Sequence, residues 1–126
     1  EPDEWSVMEV LQHVADVDET WLGRFRDTLA GKAELSPHNP ADCEAARSDA
    51  ERQGLSGVLR RTYRTRTLVL DAVSAMEEAD LARSARHPRY GLLTLLQMVE
   101  RICSHDRDHA QQIAKTRAQV EKLGRV

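Results

Sequence analysis

The stretch Trp5-Ser6-Val7-Met8-Glu9-Val10-Leu11-Gln12-His13, continued by Val14, Val17, Trp21, Phe25 and Leu29, sets the architecture. Ser6 and Glu9 have the spacing of a capping box, in which the serine side chain and a glutamate three residues on satisfy orphan amides at a helix start. A helix is therefore predicted to begin near Val7. From there Val7, Val10, Leu11, Val14, Val17, Trp21, Phe25 and Leu29 recur at three-and-four spacing along one helical face, and Gly31 offers a C-cap.

Working outward, residues 31–40 contain Gly, Ser, Asn and two prolines, which fix turn dihedrals or compete with helical hydrogen bonds, so a loop is predicted. A helical pattern resumes over 41–48 and strengthens at Leu55, Leu59, Tyr63, Leu70, Val73 and Met76. This gives a long second helix whose start is weakened by Gly54 and Gly57, at about 1 kcal/mol each. Residues 80–91, with Pro88 and Gly91, separate it from a last apolar series at Leu92, Leu95, Leu96, Val99, Ile102, Cys103, Ile113, Val120 and Leu123. The third helix is expected over roughly 93–123. No stretch alternates with the two-residue period of a half-buried strand, so no sheet is predicted. The expected fold is all-α, one domain over residues 1–126, with its helices packed lengthwise as an up-and-down bundle.

Composition narrows the function. With 18 Lys and Arg against 21 Asp and Glu, the chain carries a formal charge of −3, which disfavours nucleic-acid binding through a clustered basic surface. No apolar run reaches the ~20 residues of a membrane span, and no signal-peptide pattern opens the chain, so a cytoplasmic protein without a membrane partner is expected. Two cysteines, Cys43 and Cys103, write no disulfide framework.

The chemistry is concentrated in Ser104-His105-Asp106-Arg107-Asp108-His109. Two histidines four residues apart project from one helical face about one turn apart, so both imidazoles can reach one ion. A two-histidine clamp needs only one or two further ligands to complete a zinc-like site. His13 is the candidate for the third, because it borders the buried stripe of the first helix between Val10 and Val17. The spacing alone leaves a second reading open, since HxxxH also arises by chance on surface helices. It is not the HExxH of zinc proteases, because position 106 is Asp, one carbon shorter than the general-base Glu.

Trp5-Ser6 with His13 downstream, His87-Pro88-Arg89-Tyr90-Gly91-Leu92-Leu93-Thr94-Leu95-Leu96, and His105-Asp106-Arg107-Asp108-His109-Ala110-Gln111-Gln112-Ile113 together resemble the DinB-like superfamily. The likeness covers nearly the whole chain. It implies a four-helix bundle with His13, His105 and His109 as ligands of a divalent metal, zinc or nickel, often in a homodimer. Family members carry a helix before the Trp-Ser motif, so either further chain precedes Glu1 or the segment 41–52 makes the fourth element. The resemblance also implies a metal-dependent hydrolase or a transferase using a low-molecular-weight thiol against an electrophile. The competing reading is a non-catalytic, metal-stabilised bundle with a stress-linked assembly or binding role.

The remaining residues are given ordinary roles. Asp16, Asp106 and Asp108 are read as solvated acids ahead of acceptors that orient imidazoles. Arg66 is read as a basic head in water on a stem along the core edge, and Arg60, Arg61 and Arg64 as a solvated face. His87 is expected at the surface, and Trp5 and Trp21 in the core. No catalytic residue is assigned.

Overall fold

In the computed structural model, which describes residues 5–124, the capping box forms as its spacing predicts. The Ser6 hydroxyl accepts from the Glu9 N–H, and the Glu9 carboxylate accepts from the Ser6 N–H, both at 3.2 Å. They start helix α1 (Val7–Leu29), which ends just before Gly31 turns the chain with a positive φ. A 3-10 turn (Pro40–Cys43) leads into α2 (Glu44–Arg52) and α3 (Gly54–Ser74). After a short α4 (Glu78–Leu81) come strands β1 (Ser84–His87) and β2 (Gly91–Thr94), then the long α5 (Leu95–Gly124). Among the described residues no helix is long and apolar enough to cross a membrane.

The molecule is all-α, with α1 at its centre, α3 on one flank and α5 on the other, and with α2 laid against α3. Trp21, Leu22 and Phe25 of α1 meet Val69 of α3 and Leu95, Met98 and Ile102 of α5 in one apolar cluster. Each such fully buried side chain contributes about 1.5–3 kcal/mol. Where the sequence suggested one long second helix there are two. They pack so closely that a Cβ on Gly57 would run into the Ala50 carbonyl, so this glycine serves contact between helices instead of weakening one.

Two expectations about the segment after α3 are corrected. A small antiparallel sheet exists, pairing Ser84 with Thr94 and His87 with Gly91, and α5 consequently starts at Leu95, not near Leu93. With only four residues to a strand, the alternation is too short to register as a period. Gly91, at φ +74, makes the return possible. The hairpin is tied to the 31–40 loop by backbone bonds from Arg86 N to Ala33 O (2.7 Å) and from Leu35 N to Arg86 O (2.8 Å).

The second helix is rotated from the face its apolar series suggested. Leu55, Leu59, Tyr63 and Leu70 are exposed, Tyr63 to 76%. Gly57, Val58, Arg61, Thr65 and Val69 face inward instead. The cause lies on α1, which sends Asp16 and Asp18 into the interior at 1% exposure each. Arg61, expected in water, is 2% exposed and donates through Nη2 to Asp16 Oδ1 and through Nη1 to Gln12 Oε1, both at 2.6 Å. Arg47 of α2 reaches the other Asp16 oxygen at 2.9 Å. Buried carboxylates need such partners, so the arginine side of α3 turns inward and its leucines turn out.

Removing one partner of such a pair leaves an uncompensated buried charge, costing about 3–5 kcal/mol. Arg61→Leu is therefore expected to lower the denaturant midpoint by that equivalent, while Arg60→Leu, on the exposed neighbour, shifts it by less than about 0.5 kcal/mol. Equal effects of the two substitutions would contradict the assigned orientation of α3.

Candidate metal centre

His13 leaves the first half of α1, and His105 and His109 leave successive turns of α5. The Nε2 of His105 lies 3.1 Å from that of His13 and 3.0 Å from that of His109. All three ligand atoms fall within 4.8 Å of one another. Nitrogens at 2.0–2.1 Å from a tetrahedral ion stand about 3.3 Å apart, so the two edges that meet at His105 have about the spacing of ligands in such a site. The His109 Nδ1–H donates to Gln112 Oε1 at 2.7 Å, which leaves the Nε2 lone pair facing its neighbours. His105 Nδ1 is sealed from solvent without a hydrogen-bond partner, so that ring too interacts through Nε2 alone.

The electrostatics favour neutral rings. Burial, then the neighbouring His105 and His109, lower His13 to about 4. Burial followed by His109 lowers His105 in the same direction. Neutral imidazole is the ligating form, and three imidazole nitrogens converging on one point suit a cation.

Trp5 sets its ring edge-on to His13 at 5.1 Å between centroids, half-buried at the rim of the cluster, whereas Trp21 joins the core as expected. Asp16 and Asp106 are not solvated acids, and their partners are arginines. Arg66, expected with its head in water, donates from Nε and Nη2 to Asp18 at 3.1 and 2.9 Å. Its Nη1 and Nη2 also donate to Asp106. One guanidinium thus ties α1, α3 and α5 together beside His105, fixing how α5 is rotated against His13. Burial pushes the Asp18 carboxyl up to about 6, against the pull of Arg66. Asp108 is exposed, as predicted.

A cavity of about 580 Å³ borders His13 and His105. Several of its residues escaped the sequence reading. His87, expected at the surface, is 8% exposed, with its ring stacked on Trp21. Its Nδ1 accepts from the Arg89 and Tyr90 N–H groups at 3.0 and 3.2 Å, which folds residues 88–90 over the cavity. His38 comes from the 31–40 loop and meets Thr20 at 2.7 Å through Nδ1. The Thr20 hydroxyl also donates to Asp16 O at 3.0 Å. Arg24, one turn beyond Trp21, also lines the cavity. Its sequence signal was a cation inside an apolar run, between Trp21 and Phe25. Cys43 is buried and its thiol pushed up to about 11 by that burial, so it offers no ready thiolate.

Among curated proteins none matches the chain. The sequence model of the DinB superfamily matches residues 1–113, a span that includes all three histidines, the whole of α1 and the part of α5 that carries His105 and His109. With that match, the chain belongs to the DinB superfamily.

Proposed function

We propose that the protein is a metal-dependent enzyme, a thiol-dependent S-transferase or a hydrolase, holding zinc or nickel through His13, His105 and His109. The observation that carries this reading is the triangle of imidazole nitrogens, 3.0 and 3.1 Å apart along two edges and bordered by a cavity. A structural metal site is closed by a fourth side chain, whereas three ligands beside open space leave a position for water or substrate. The cavity therefore favours catalysis over a purely structural role. An ion there would lower the pKa of bound water toward 7 or accept a thiolate.

The chain's own residues do the rest. Gln112 orients His109 through its Nδ1–H, and the Arg66 bridge between Asp18 and Asp106 keeps α5 in register with α1. His38, which lines the cavity, would take the proton released when a thiol or water is activated. Trp21, Tyr90 and Pro88 give the cavity apolar walls that exclude bulk water from one side. A small-molecule thiol or electrophile, a homodimeric assembly, a single domain and a cytoplasmic setting complete the reading, on the family resemblance and composition.

Protein purified without a His tag is expected to hold about one divalent ion per chain. His105→Ala should weaken metal affinity by more than about 100-fold, beyond the loss typical of an outer partner such as Gln112. Turnover of an electrophile with a low-molecular-weight thiol, or hydrolytic turnover, should vanish on chelation and return with zinc or nickel. A wild type that takes up neither ion, or His105→Ala with unchanged metal content, defeats the reading.

A pH dependence follows from the same rings. Unfolded His13 takes its proton near 6.5, while the folded ring resists protonation down to about 4. Between those values the unfolded chain binds more protons, so chelated protein should lose stability as pH falls from about 6.5 to about 4. Denaturant midpoints across that range measure the loss, and an imidazole NMR titration placing metal-free His13 near 6.5 would contradict it.

A further inference from the structure

Four charged residues are buried among the described residues: Asp16, Asp18, Arg24 and Arg61. Three of them have a charged partner of opposite sign, Arg61 on Asp16 and Arg66 on Asp18. Arg24 does not. It is 6% exposed, and burial lowers its pKa with no carboxylate opposing the shift. Its Nε and Nη2 both donate to Ser36 O, at 3.2 and 3.1 Å, and its guanidinium carbon sits 4.5 Å from the Trp21 ring centre. A guanidinium has five N–H donors, so most of this fork has no protein acceptor. Among the described residues the buried nitrogens sealed away unpaired are Arg61 Nε and His105 Nδ1, so the free Arg24 Nη1 opens onto accessible space.

Arg24 lines the cavity beside the histidine cluster. Among the described residues no aspartate or glutamate lines it, and Arg89 adds a second positive charge. Arg101, 3.7 Å from the Tyr90 ring centre, adds a third nearby. Glu19, Asp27 and Asp42 line a smaller cavity that Arg24 also borders, yet none comes within ion-pair reach of it. His87 places its Nδ1 on two backbone N–H groups, so the neutral ring carries its proton on Nε2, a donor without a protein acceptor. Trp21, His87 and Tyr90 form a continuous aromatic wall, with centroid separations of 6.0 and 4.6 Å. A chain with net charge −3 thus presents a positive, aromatic-walled cavity at its histidine cluster.

We propose that this cavity takes a small organic carboxylate, its carboxylate group accepting from Arg24 and its body lying along Trp21, His87 and Tyr90. A buried cation without a counter-charge is costly, and an anionic ligand supplies both the charge and the missing acceptors. A monoanion balances the one buried guanidinium that lacks a counter-charge, Arg89 and Arg101 being exposed to water, which favours carboxylate over the dianion of a phosphate ester. The inference rests on the reading of this cavity as the substrate side of the histidine site.

The test uses the full chain as purified, with cinnamate and its neutral isostere cinnamamide as probes, titrated by calorimetry before and after chelation. Cinnamate is expected to bind at least about tenfold more tightly than cinnamamide, in keeping with a charge-assisted pair, in both metal states. Arg24→Gln should reduce that preference below about twofold, at unchanged metal content. If Arg24→Gln does not fold, Arg24→Lys decides: it keeps the charge without the planar fork and should lower the preference about three- to tenfold. Absence of preference in the wild type, a preference untouched by either substitution, or phenyl phosphate binding more tightly than cinnamate overturns the proposal. So does a preference that disappears on chelation, which would put the carboxylate on the ion. A wild type that holds no metal but shows an Arg24-dependent preference upholds the carboxylate site while defeating the metal reading.

Discussion

Two carboxylates on the central helix, Asp16 and Asp18, constrain the rest of the structure. Each is almost sealed from water, and an ion taken out of water costs several kcal/mol unless charge and hydrogen bonds are returned to it. Arg61, Arg47 and Arg66 return them, and so decide which face of α3 points inward and where α2 sits. Apolar packing tolerates small rotations of a helix, but a two-pronged arginine on a carboxylate tolerates few. The reach from Arg66 to Asp106 carries the same constraint to α5, where the preceding residue is His105. Register that begins as charge compensation ends as the alignment of imidazoles from distant parts of the chain.

This explains which features were legible in the sequence. The capping box, the α1 stripe and the HxxxH pair are local patterns whose periods survive in the folded molecule, and with the ordered Trp-Ser, His and Gly signals they pointed to the DinB superfamily. The face of α3 was not legible, because its rotation is set by partners on another helix, and a one-dimensional reading assigns leucines to the core and arginines to water. The hairpin was missed for a different reason. Its strands are four residues each, and their pairing with the 31–40 loop is long-range backbone bonding that leaves no trace in side-chain periodicity. His87 looked like a surface residue because nothing in the sequence announces that its ring will cap two amides behind it.

The cavity was equally hidden. Its walls come from α1, the loop after it, the turn between the strands and α5, segments far apart in sequence. Arg24 was passed over as an interruption in an apolar run. In the structure that interruption is a buried cation stacked on Trp21 and held by a single carbonyl, a placement with no purpose in the core.

The histidine triangle and the cavity wall are built on different mechanical parts. The imidazoles ride on long helices locked by buried charge. Pro88, Arg89 and Tyr90 sit exposed on a hairpin turn that carries no core packing. Turns of this kind change sequence at little cost to folding, whereas the locked helices do not. The cavity wall can therefore diverge while the histidine cluster it borders stays in place, so relatives built on this scaffold can reshape the cavity without moving the imidazoles.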